Sequence, residues 1–224
     1  MRMGIVRIAA ASVRLWDSPG VTRALLWCGV VGPVLFVVVF LAEGATRPGY
    51  RPWRHFVSLL AHGDRGWVQT TSFVVCGCAS LCAAIGVWRT GDGMALPVLF
   101  AVFGVGLIAS GRYRCDAGLG YPPGATEGWP RTASLEGNRH NLAGAAVFAS
   151  IAVACFVAAA RSGGSTWTVY CVASGVLVIV LFVATGALAA RASEGSDPPI
   201  GVAQRLAIIA GWAWMAVFAW SRVT

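Results

Sequence analysis

Six apolar runs, each long enough to cross a bilayer as a helix, divide this chain of 224 residues. They are Ala24–Ala42, Trp67–Trp88, Met94–Ser110, His140–Ala160, Thr166–Ala190 and Ala203–Trp220. A hydrocarbon layer of about 30 Å asks for roughly 17–25 such residues per helix. The chain is 57% hydrophobic and 12% charged, about half the charge of a soluble domain. The pattern therefore predicts an all-α fold, a polytopic transmembrane helical bundle of six spans in one domain over 24–222, and excludes a soluble core. Pro33 and Pro97 fall inside spans and are expected to kink them. The 28 glycines suit close helix contact, with Gly144, Gly175, Gly186 and Gly211 as candidates.

The connections are unequal. Those at 89–93 and 161–165 are short, whereas 43–66, 111–139 and 191–202 are long and polar. With six spans the three long loops share one membrane face and both termini lie on the other. That face holds His55, His62 and His140, seven of the nine acids and ten of the seventeen basic residues, Arg205 included. All the basic residues are arginine. Residues 1–23 carry Arg2, Arg7, Arg14 and Arg23 against Asp17 and read as an amphipathic interfacial segment. They favour a cytoplasmic location for both termini. The arginine-rich long loops strain that rule, unless some of those arginines are bound into the protein.

The net charge of +8 suits anionic headgroups, and its scatter over short loops excludes nucleic acid as a partner. Six of the seven cysteines fall within spans, where a thiol packs as a small apolar group. Cys115 alone is in a loop.

The first long loop turns at Pro48, Gly49 and Pro52. Trp53–His62 then runs without a breaker to Gly63 and predicts a short interfacial or re-entrant helix. On it His55, Ser58 and His62 share one face. The second loop carries Asp116 and a run of special backbone positions from Gly118 through Tyr121 to Gly124. His140 and Asn141 open the fourth span, and Arg205 lies just inside the sixth. Ionisable groups at membrane depth are costly and face the bundle interior, which makes them functional candidates.

These residues resemble the domain of unknown function 998 family of bacterial integral membrane proteins. The resemblance is carried by Arg47-Pro-Gly-Tyr50, Arg54-His55-Phe-Val-Ser58, Gly66-Trp67-Val-Gln69, Asp116 with Gly120-Tyr-Pro-Pro-Gly124, His140-Asn141-Leu142, and Arg205 with Gly211-Trp212. Arg112-Tyr-Arg-Cys115 departs from the family's usual apolar residues and threonine. The resemblance implies six helices in a membrane and no particular activity.

Several chemistries are set aside. The chain has no phosphate-binding glycine loop and no dinucleotide fingerprint. It has no acidic motif pair for magnesium-diphosphate, and no cofactor is expected. Zinc on His55, His62, His140 and Asp116 is disfavoured by their loose spacing, and so is a Ser58 nucleophile. Acid–base chemistry on an apolar, isoprenoid-like substrate remains. A carboxylic acid at the edge of an apolar cavity keeps its proton more readily, so Asp116 or Glu43, positioned by His55, is the expected catalytic donor. Arg54, Ser58, Gln69, Tyr121, His140, Asn141, Arg205 and Trp212 are the expected substrate-binding residues. The reaction matching this set is a metal-independent, proton-initiated terpene cyclisation. The alternatives are a non-catalytic lipid-binding, transport or accessory protein, or a lipid headgroup hydrolase. The partner expected in each case is an apolar small molecule or lipid.

Overall fold

The computed structural model describes residues 18–91, 93–193 and 197–224. The expected interfacial segment lies mostly outside these. Its last residues, from Pro19, belong to the first helix.

Among the described residues six long α-helices form the fold: α1 (Pro19–Thr46), α2 (Gly66–Arg89), α3 (Ala95–Arg112), α4 (Leu135–Ala160), α5 (Ser165–Ser193) and α6 (Ile200–Val223). Each is long and apolar enough to cross a membrane. Each also runs past its apolar run in the sequence, because capping and end-turn residues extend the hydrogen-bonded ladder. Ser18 accepts from Val21 N–H ahead of Pro19 in α1, and Ser134 accepts from Gly137 N–H to open α4. Both are side-chain caps of otherwise unpaired amides. Pro97 sits in the first turn of α3, where its missing N–H leaves no helical bond unmade. The kink expected there has no cause.

Consecutive helices pack in chain order, and α6 closes the ring against α1. Trp212 of α6 fills the centre at 2% exposure. Its ring stacks on Phe36 of α1 at 5.5 Å and meets Phe103 of α3 edge-on at 4.7 Å. Such aromatic pairs contribute about 1 kcal/mol each beyond their area. α5 is the least buried of the six helices, so its outer face looks toward lipid.

The expected continuous helix over Trp53–His62 is not found. Val57–Ala61 forms a single buried 3₁₀ turn, and His55 N–H closes a separate turn onto Arg51 O. The reason lies in the carbonyls. A helix would need His55 O for an amide four residues on, but Arg205 takes it at 3.0 Å. Phe56 O, which also accepts from Tyr50 at 2.9 Å, receives Leu59 N–H only three residues on, closing a 3₁₀ turn. His55, Ser58 and His62 therefore do not share a face.

Candidate functional site

The two longer loops fold over the bundle as a polar ceiling, and most of the predicted site residues are spent building it. Arg205, buried at the start of α6, donates to Pro52 O, His55 O, Gly201 O and the Tyr50 hydroxyl. It thus ties the first loop to α6 without a carboxylate. Burial pushes the Tyr50 phenol up to about 12, so it stays a protonated donor to Phe56 O. His55 is 2% exposed. Its Nδ1 accepts from Arg51 N–H at 2.9 Å and its Nε2 donates to Leu119 O at 3.0 Å. Both ring nitrogens are occupied, so His55 joins the loops and has no edge left to position an acid. Gly201 is required by this clamp, since a Cβ there would meet Pro52 O at 2.2 Å and His55 O at 2.5 Å.

A second network crosses to α1. Glu43 accepts from Arg47 and Arg65. Arg47 also donates to His62 O at 2.9 Å and to the Tyr121 hydroxyl at 3.3 Å. Tyr121 is 2% exposed and serves as an acceptor here. Arg54 pairs with Asp197 at 2.8 Å and donates to Glu127 O at 2.6 Å, joining all three polar loops. Four of the loop-face arginines, Arg47, Arg54, Arg65 and Arg205, are thus bound into the protein.

The two expected proton donors are placed apart. Glu43 faces two guanidinium groups, which hold a carboxylate as an acceptor. Asp116 accepts from Ser134 N–H at 3.0 Å and lies against Gly137, where a Cβ would meet its Oδ2 at 2.1 Å. It sits at the amino-terminal end of α4, where an anion complements the helix dipole. Gln69 is fully buried on α2, and neither atom of its amide is hydrogen-bonded. His55, His62, His140 and Asp116 do not gather, and among the described residues no three His, Cys, Asp or Glu side chains form a metal-ligand group.

Beneath the ceiling is a cavity of about 350 Å³ walled by α4, α5 and the start of α6. Trp129 and Phe56, in edge-on contact at 4.7 Å, form its roof. Phe148 and Phe182, stacked at 4.7 Å, form part of its wall. A smaller space of about 50 Å³ adjoins it above Trp212. Ser58, His140, Gly144, Phe148 and Gln204 line both spaces. Asn141, Val183 and Gly186 are wall residues exposed on the outside of the bundle, so the opening lies between α4 and α5. Gly144 and Gly186 have nothing within 4 Å of a Cβ position. They open this gap, whereas Gly175 and Gly211 make the expected close contacts, with Phe156 and Ile151 respectively.

Two polar side chains in this wall have one end fixed and one end free for a ligand. His140 Nδ1 faces Ser110 O at 3.2 Å and Tyr113 O at 2.9 Å. Both partners are acceptors, so Nδ1 carries a proton, and in the neutral ring Nε2 carries a lone pair. Gln204 Oε1 accepts from Val57 N–H at 2.6 Å, which fixes the amide orientation and leaves the NH₂ as a donor. Burial pushes the Cys115 thiol up to about 12, so it lines the cavity as a thiol and not as a nucleophilic thiolate.

Of the predicted site residues, the structure brings Ser58, His140, Asn141 and Trp212 to these spaces. Arg54, His55, Tyr121, Arg205, Glu43 and Asp116 go to the ceiling and its supports. Sequence reasoning missed Gln204, whose signal was a polar residue beside Arg205 at the start of an apolar run.

No match is found among curated proteins or among solved structures. Residues 30–221 match the family described as "Protein of unknown function (DUF998)". With that match covering four of the six helices whole and most of the first and last, the chain belongs to the DUF998 family.

Proposed function

We propose that this multi-pass membrane protein binds a membrane-dissolved apolar molecule, isoprenoid-like in cross-section, which enters sideways between α4 and α5. The carrying observation is the cavity of about 350 Å³ that opens on the outer face of the bundle between two glycines. Ligand pockets of this size are mostly apolar, with a few placed polar groups. The wall fits that description, since its residues carry no carboxylate, arginine or lysine.

The test is photo-crosslinking of a diazirine-bearing prenyl lipid to the full chain in membranes. Labelled peptides are expected from the facing stretches of α4 and α5, and Gly186→Phe is expected to abolish them. Label spread over the whole lipid-facing surface, unchanged by Gly186→Phe, would reject the reading.

Binding without turnover is favoured over proton-initiated cyclisation, because Asp116 and Glu43 lie outside the cavity wall. Cyclised product from a linear prenyl substrate, lost in Asp116→Asn or Glu43→Gln, would reverse that preference. We place the protein in the bacterial cell membrane with cytoplasmic termini. Arg23, Arg89, Arg161 and Arg222 lie toward the terminal face, where the arginine-rich N-terminal stretch adds to the positive charge that marks a cytoplasmic side.

A further inference from the structure

The two fixed polar groups in the cavity wall specify the head of the occupant. His140 offers one acceptor, Nε2, because its Nδ1 proton is committed to Ser110 O and Tyr113 O. Gln204 offers donors only, because its Oε1 is committed to Val57 N–H. Both side chains line the inner space of about 50 Å³ as well as the larger one. An inner space of that size holds on the order of one or two water-sized groups. It therefore admits a small head while the tail occupies the larger space. A hydroxyl is the smallest group that is both donor and acceptor.

A phosphate or carboxylate fits poorly. Fully ionised, it has no proton to give His140 Nε2, and in any ionised form it would bring charge into a wall that holds no arginine or lysine. Burying an unpaired charge costs far more than burying a hydroxyl with both its hydrogen bonds made. An ether or ketone accepts from Gln204 but leaves Nε2 unpaired, and a hydrocarbon leaves both groups unpaired.

We infer that the ligand is an uncharged, long-chain or isoprenoid alcohol, its hydroxyl donating to His140 Nε2 and accepting from the Gln204 NH₂. This rests on the lateral-entry reading above and adds the chemistry of the head.

The test uses the full chain in detergent and measures displacement of the diazirine probe by three competitors with one tail: a prenyl alcohol, its methyl ether and its monophosphate. The alcohol is expected to compete roughly tenfold better than either, the factor for leaving one buried polar group unpaired. In His140→Phe the alcohol and the ether are expected to compete equally. Where that variant does not fold, Gln204→Glu serves in its place. It keeps the acceptor for Val57 N–H, removes the donor, and is expected to weaken the alcohol by a similar factor. A monophosphate that competes best would overturn the hydroxyl assignment. So would an alcohol preference over the ether that persists in folded His140→Phe, or an alcohol affinity left unchanged by Gln204→Glu. Labelling insensitive to Gly186→Phe would instead remove the cavity reading and this inference together.

Discussion

The ceiling and the cavity lie within a few side chains of each other and treat polar groups in opposite ways. In the ceiling, charged side chains are dense and mutually satisfied. Arg205 alone serves three carbonyls and a phenol, Glu43 is held between two arginines, and both nitrogens of His55 are bonded. In the cavity, polar side chains are sparse, and two of them, His140 and Gln204, are half committed. A group whose every bond is internal stabilises a fold, whereas a group with one fixed bond and one open bond can read a ligand. Charge density alone therefore points to the wrong one of these two regions.

If that distinction holds, the two regions respond differently to substitution. Arg205→Met should have the largest effect. It strands buried carbonyls of the first loop, and at 1–3 kcal/mol per unsatisfied group the loss is roughly 4 kcal/mol or more. Thermal unfolding in detergent would show it, with release of the first loop to proteolysis. A variant with near wild-type stability would break the comparison. Glu43→Gln comes next, at about 3 kcal/mol, because it leaves Arg47 buried beside a neutral amide. Arg47 is 7% exposed, so water does little to offset the loss. The same substitution should leave probe displacement unchanged in the protein that remains folded.

Cavity positions should invert this pattern. Gly186→Phe is expected to move stability by less than about 1 kcal/mol, the scale of a glycine's helix-propensity deficit, since the space around a Cβ there is open. Its effect on ligand should be near complete. A large loss of stability with ligand binding retained would place Gly186 in helix packing and not at an entrance.

Much of the fold was legible in the sequence, because a span is specified by an unbroken apolar run and little else competes with it. The order of the helices and the side shared by the long loops followed from the same runs. The Trp53–His62 helix failed where His55 O is drawn to Arg205, a residue distant in sequence, and Phe56 O keeps only the short bond from Leu59 N–H beside that from Tyr50. The site was half legible. His140 was identified as an ionisable group at membrane depth and Ser58 by its face on the predicted loop helix, and both line the cavity. Arg205 and His55 were identified on these same two grounds, respectively, and turned out to be struts. Nothing local distinguishes the two outcomes, since what decides is whether a carbonyl from another loop arrives at the free edge of the side chain. Gln204 shows the converse, as its role depends on Val57 N–H being delivered by a turn 147 positions away in sequence.

The smallest effect expected is in the pH dependence of the ceiling. Burial, aided by the nearby arginines and opposed by the bond to Leu119 O, holds His55 below its ordinary value of about 6.5. The folded state then resists protonation while the unfolded chain accepts it. As pH falls through about 6.5 the unfolded chain binds more protons, so the contribution of His55 to stability is complete above that value and declines below it. The decline continues down to the depressed folded value, with a slope of at most about 1.4 kcal/mol per pH unit for one proton. Thermal unfolding followed from about pH 7.5 to about pH 5 should fall for the wild type and fall less for His55→Gln. Glutamine can accept from Arg51 N–H and donate to Leu119 O without titrating. Equal slopes in the two proteins would mean that His55 is not held neutral in the folded ceiling, and that one of its two ring bonds is open to solvent in the same way as those of the cavity residues.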